Sequence, residues 1–108
     1  MTREDLMALA EDLNPDDVIT QDDMCGYVNV ILDALSVHLD RERVRHGLWK
    51  RYGAKEQMRN VTVKGDRVEA ILRDEPSLTQ AEIDAALEEC YDIINYTVFT
   101  ARILTGQL

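Results

Sequence analysis

The sequence predicts an all-α fold, a compact bundle of two long helices and two or three short ones. Three observations predict it. From Thr79 to Gly106, Ile83, Leu87, Cys90, Ile94, Val98 and Ala101 recur every three or four residues, the spacing of a helical apolar stripe. A second periodic stretch runs from Gln21 to about His46. The one β-branched run, Asn60 to Gly65, is too short and isolated to found a sheet, so it reads as a loop.

Each element has a local signal. Thr2-Arg3-Glu4-Asp5 is a capping-box variant, and a short helix to about Leu13 follows with Leu6, Leu9, Ala10 and Leu13 inward. Asn14-Pro15-Asp16-Asp17 is a turn or a fresh helix start. Thr20-Gln21-Asp22-Asp23 repeats the capping pattern ahead of the first long helix. That helix is apolar nearly all round between Val28 and Leu39, as befits one buried centrally or between subunits. Gly47 and Gly53 bracket a turn-rich stretch, Leu48-Trp49-Lys50-Arg51-Tyr52. Asp66 to Asp74 reads as a short helix with Val68, Ile71 and Leu72 inward, ended by Pro76. Thr79-Gln80-Ala81-Glu82 is a full capping box, and the last helix runs to about Leu104. The whole reads as one helical domain over residues 1–108, a short N-terminal helix and turn (1–20) preceding a ligand-binding core (21–108).

Composition narrows the function classes. At 108 residues, 45% hydrophobic and 31% charged, the chain is an ordinary globular domain. No run approaches the ~18–20 apolar residues of a membrane span. The acidic N-terminal stretch is unlike a signal or transit peptide. Cys25 and Cys90 fall at apolar helical positions and read as reduced core residues, which points to the cytoplasm. Zinc-ligand spacings, phosphate-binding glycine loops and nucleophile elbows are all missing. The net charge of −9 excludes general nucleic-acid binding. The charge is uneven, however. Residues 41–73 carry ten Lys/Arg against four acids, between two acidic ends. Such a segment can hold a small polyanion or simply pair with the acidic helices.

The last helix carries the strongest chemical signal. Glu88, Asp92, Asn95 and Phe99 fall within roughly 60° of one another at about 100° per residue. Glu88/Asp92 and Glu89/Asp92 are spaced to aim two carboxylates at one point, where a cation relieves their repulsion. Mg²⁺ favours such hard oxygen ligands together with substrate phosphates, and Glu42 is a further candidate ligand. A solvated acidic face near the helix start is the plainer alternative. Trp49 and Tyr52 can stack on a base, or anchor a loop, while Lys50 and Arg51 hold phosphate. Lys64-Gly65-Asp66-Arg67 offers a close backbone approach and a helix start, with Asp66 as a ligand contact or a cap.

The order Arg41-Glu42, Trp49-Lys50-Arg51-Tyr52-Gly53, Val63-Lys64-Gly65-Asp66-Arg67 and Leu87-Glu88-Glu89-Cys90-Tyr91-Asp92-Ile93-Ile94-Asn95-Tyr96 resembles the nucleotide modification associated domain 1 family, known mainly from phages and prophages. That family in turn resembles the MazG-like all-α nucleotide pyrophosphohydrolases. The resemblance implies Mg²⁺ held by acids on facing helices and cleavage of nucleoside triphosphates to monophosphate and pyrophosphate. Glu89-Cys90-Tyr91-Asp92 matches the E-x-x-D element of those enzymes. The partner element E-E-x-x-E is missing, since the first long helix carries Asp33, Asp40 and Glu42 instead.

Three expectations follow. The first is a Mg²⁺-dependent pyrophosphohydrolase. Glu89 and Asp92 hold the metal with Glu88 or Glu42. Lys50, Lys64 and Arg67 neutralise phosphate charge, and Asn95 and Tyr96 orient the ligands. The second is a non-catalytic binder of a nucleotide or cyclic nucleotide, countering host defence. The third is an acidic protein-interaction inhibitor. The resemblance to MazG-like folds also implies a homodimer or homotetramer, which fits the apolar stretch Val28 to Leu39.

Overall fold

The computed structural model describes residues 2–11 and 20–107. Among them there are four α-helices and no strand: α1 (Arg3–Glu11), α2 (Gln21–Arg45), α3 (Ala54–Ile71) and α4 (Gln80–Leu104). Two 3-10 turns, Leu48–Arg51 and Leu72–Asp74, flank α3. The all-α expectation holds. The expected turn at 14–17 and the inward side chains of Leu6, Leu9, Ala10 and Leu13 lie outside the described residues. The chain divides into two compact units, Met1–Leu32 and Asp33–Leu108.

In the first unit the helix starts are fixed as their sequences predict. Asp5 Oδ2 accepts from the Thr2 N–H at 2.9 Å, and Thr2 Oγ1 accepts from the Asp5 N–H at 3.1 Å. Thr20 and Asp23 do the same at the start of α2, at 2.9 and 3.2 Å. These reciprocal bonds satisfy donors that a helix start leaves open.

In the second unit α4 lies between α3 and the C-terminal half of α2. Contacts between α3 and α4 pair Arg67 with Glu89 and Lys64 with Asp92. Residue numbers rise on one helix as they fall on the other, so the two are antiparallel. Arg41 meets Glu88 and Asp92 while Ala34 meets Asn95, so α2 and α4 are antiparallel as well. Ala34 is fully buried at this crossing, where a small side chain permits close approach. Among the described residues Ala86 and Phe99 are the other buried apolar side chains, and Gln57, Asp92 and Thr100 are buried polar ones.

Four expectations are corrected. Residues 60–65 are not a loop, and no helix starts at Asp66. Both belong to one 18-residue helix, α3. Its inward stripe is Gln57, Asn60, Val61, Lys64, Val68 and Ile71, spaced as a helix requires but half polar. Gly65 therefore lies inside α3 rather than ahead of a helix start, and Asp66 sits exposed in mid-helix rather than capping. The second correction concerns α4. Leu87 and Val98, expected inward, are 43% and 46% exposed, while the mixed face carrying Asp92 and Phe99 is buried. Third, among the described residues α2 is not buried centrally, since Tyr27, Leu32 and Leu39 are all more than half exposed; the alternative of burial between subunits is untouched by this. Fourth, Cys25 is exposed rather than in the core, and Cys90 is half-buried. Both thiols are free.

α2 ends where His46 and Gly47 turn left-handed, with φ of 48° and 75°. Glu42 Oε2 accepts the Gly47 N–H at 2.7 Å and so closes the turn. Gln57 Nε2 donates to the Trp49 carbonyl at 2.8 Å, tying the following 3-10 turn to α3. Thr79 caps α4, with its Oγ1 accepting the Glu82 N–H at 3.2 Å and Glu82 accepting the Thr79 N–H at 3.0 Å. The substitution Thr79→Ala removes this cap. It is expected to lower unfolding free energy by about 1 kcal/mol in a urea titration.

Candidate functional site

Three acidic side chains of α4, Glu88, Glu89 and Asp92, each lie within 4 Å of a cationic side chain. Arg41 on α2 donates to Asp92 and lies 3.5 Å from Glu88. Lys64 on α3 reaches Asp92 at 3.0 Å and Glu89 at 3.1 Å. Arg67, one turn further along α3, lies 3.6 Å from Glu89. The six groups alternate in sign: Glu88, Arg41, Asp92, Lys64, Glu89, Arg67. Exposure rises outward from the centre, from 3% at Asp92 to 56% at Arg67 and 68% at Glu88. Burying the Asp92 carboxylate costs several kcal/mol of hydration, which two cations on opposite helices offset.

This arrangement tests the expected Mg²⁺ set. Glu88, Glu89 and Asp92 each already face a protein cation, so a metal ion would have to displace Arg41 or Lys64. Glu42, the fourth expected ligand, is directed to the Gly47 N–H instead. Among the described residues no group of three His, Cys, Asp or Glu has metal-holding geometry. The residues as arranged do not fit a resident divalent cation.

A cleft opens beside the network. From α2 it is lined by His38, Arg41, Glu42 and Arg45, which share one helix face. Leu48, Trp49 and Tyr52 form a second wall, Asn60 of α3 a third, and Asp92, Asn95, Tyr96 and Phe99 of α4 the floor. Trp49 stacks on Phe99 with centroids 4.0 Å apart and planes 15° apart. His38 meets Trp49 edge-on at 5.6 Å and Phe99 at 4.9 Å. Tyr96 sets its edge toward Phe99 at 6.1 Å. Asn95 Nδ2 donates to the Ala34 carbonyl at 2.9 Å, which fixes its amide at the α2–α4 crossing. The enclosed space is ≈ 70 Å³, room for a few waters or one polar group. A nucleotide-sized ligand would lie along the cleft with much of its surface outside.

Burial holds His38 below its ordinary value of 6.5; Glu42 acts in the opposite sense, and Arg102 and Arg41 reinforce the lowering. The imidazole is therefore neutral at pH 7.

The expected site residues thus divide. Glu88, Glu89, Asp92, Lys64 and Arg67 come together, but as an ion-pair chain. Tyr52, Asn95 and Tyr96 line the cleft with Asp92. Lys50 lies near it, its ammonium 5.6 Å from the Trp49 ring centroid. Arg51 and Asp66 are exposed and make no ion pair among the described residues. His38, Arg45, Asn60 and Arg102 went unpredicted. For His38 and Arg45 the readable signal is their spacing with Arg41 and Glu42 on one face of α2. Asn60 and Arg102 had none, because Asn60 needed α3 to pack beside the cleft and Arg102 needed α4 to meet Trp49. No family model, characterised protein or solved structure matches this chain.

Two outcomes follow. Asp92→Asn leaves Arg41 and Lys64 facing a neutral amide and is expected to cost about 3 kcal/mol, against less than about 1 kcal/mol for the exposed Glu88→Gln. Chemical denaturation of the two variants measures the contrast. The unfolded chain takes up a proton at His38 at higher pH than the folded chain does. That term of stability is present above about pH 6.5 and is lost as pH falls below it. Unfolding curves at about pH 5 and pH 7.5 should therefore differ less in His38→Gln than in the unaltered protein.

Proposed function

We propose that this chain binds a nucleotide, or a nucleotide-derived signal, without hydrolysing it. The observation that carries the reading is the cleft, where aromatic rings lie together with the guanidinium group of Arg45, which makes no ion pair among the described residues. Aromatic surface suits a base, and guanidinium suits a phosphate. Tyr52 is 45% exposed at the mouth and offers a ring to stack on, whereas Trp49 has one face against Phe99. In a chain of net charge −9, this is where cationic side chains and aromatic surface coincide.

Binding alone is favoured over hydrolysis because the carboxylates expected to hold Mg²⁺ are engaged by Arg41, Lys64 and Arg67. Their resemblance to the E-x-x-D element of MazG-like enzymes then reflects a shared helix face put to a structural use. The pyrophosphohydrolase remains a second reading on one observation: Asp92 lines the cleft itself. A divalent ion arriving with a triphosphate would compete with Lys64 for it.

A thermal-shift screen of nucleotides with and without Mg²⁺ separates the readings. Under the first, at least one nucleotide stabilises the protein equally in EDTA, by about 2.7 kcal/mol at a hundredfold excess over Kd. Under the second, stabilisation requires Mg²⁺ and pyrophosphate appears. No shift with any nucleotide refutes both and leaves the acidic-inhibitor reading.

A further inference from the structure

We propose that the mouth of the cleft is a subsite for one phosphate dianion, held by Arg45, Lys50 and Arg102 beside Trp49. The inference rests on the nucleotide-binding reading and narrows it to monophosphates.

The argument is one of charge. At the inner end, where Arg41 and Asp92 line the cleft, the ion-pair chain sets Arg41, Lys64 and Arg67 against Glu88, Glu89 and Asp92, three cations against three carboxylates, and only Arg41 and Asp92 of the six reach the cleft itself. That end is balanced and has no cation left for a ligand. The mouth is different. Arg45 lines the cleft with Trp49, and the Lys50 ammonium and Arg102 guanidinium each lie 5.6 Å from the Trp49 ring centroid. None of the three forms an ion pair among the described residues. Glu42 is the acid on the same wall, and one of its oxygens already accepts the Gly47 N–H. His38 is neutral, and the Arg102 charge contributes to keeping it so, which is a second sign that this guanidinium acts on the cleft. Three cations against one acid leave two positive charges.

A phosphate monoester carries about −1.5 to −2 at pH 7 and offers three acceptor oxygens. It matches this balance and suits two guanidinium forks and an ammonium. A triphosphate brings more negative charge than the mouth can neutralise. Its extra phosphates would face either solvent or the balanced inner end, where the carboxylates repel them. The ring of the ligand then lies toward Tyr52 and the aromatic wall, with the sugar along the open cleft between ring and phosphate.

The test is calorimetry in EDTA at fixed ionic strength, with adenosine, AMP and ATP and the matching cytidine series as probes. The monophosphate is expected to bind about tenfold or more tightly than the nucleoside, and the triphosphate no more tightly than the monophosphate. Arg45→Ala and Arg102→Ala should each weaken monophosphate binding about tenfold and leave nucleoside binding unchanged. Arg102→Lys should restore part of the loss, and Arg73→Ala, an equal change of net charge on an exposed turn, should do nothing. Circular dichroism checks that each variant is folded. A triphosphate binding more than tenfold better than its monophosphate overturns the subsite, as do Arg45 and Arg102 variants that bind like the unaltered protein. If neither series binds at all, the nucleotide reading falls and the subsite with it. Binding that ignores Arg45 and Arg102 removes the subsite alone.

Discussion

Asp92 is the constraint around which the second unit is organised. Its carboxylate is almost wholly removed from water between Arg41 of α2 and Lys64 of α3. A charge in that position is tolerable only while both cations are in place. The requirement fixes the rotation of α4, because the face bearing Asp92 must point between its two neighbours. It sets the register of α3 against α4 through the Lys64 and Arg67 contacts, and of α2 against α4 through Arg41. Among the described residues the buried apolar side chains, Ala34, Ala86 and Phe99, are few and two of them are small. Hydrophobic burial alone would leave these helices free to slide. The ion-pair chain gives them one alignment.

That alignment also builds the cleft. With α4 rotated to present Asp92, the next turn presents Asn95, Tyr96 and Phe99 on the same side. Phe99 then meets Trp49, and the Gln57 bond to the Trp49 carbonyl holds the turn that carries the indole. The network and the cleft are two parts of one helix face, one concerned with folding and the other left open to a ligand. A carboxylate engaged in holding helices together is poorly placed to give up its cations for a metal.

The sequence showed this face but misjudged its role. The capping boxes at Thr2, Thr20 and Thr79 were legible because each is local, a side chain bonding a backbone three residues away. The spacing of Glu88, Asp92, Asn95 and Phe99 was legible because helical geometry alone sets it. What pairs with those carboxylates was not, since Arg41 and Lys64 lie 51 and 28 positions away and only packing brings them in. The helix over 54–71 was hidden for a related reason. Its buried stripe includes Gln57, Asn60 and Lys64, polar groups that hydrophobic periodicity reads as outward. Val61, Thr62, Val63 and Gly65, taken alone, favour extended or irregular backbone. Packing against α4, together with the Glu56 carboxylate accepting the Gly53 N–H at 2.7 Å, overrides that local tendency. The apolar stripe of α4 misled in the opposite direction, because its leucines and valines were taken for a core that the charged face occupies.

The half-exposed leucines and valines of α2 and α4 have a thermodynamic consequence. A folded state that already wets Tyr27, Leu32, Leu39 and Val98 has less greasy area left to uncover when the chain opens. Heat capacity change and denaturant sensitivity both scale with newly uncovered surface. Unfolding of this single chain is therefore expected to be broad for its length, with a stability curve flatter in temperature than that of a protein with a large dry interior.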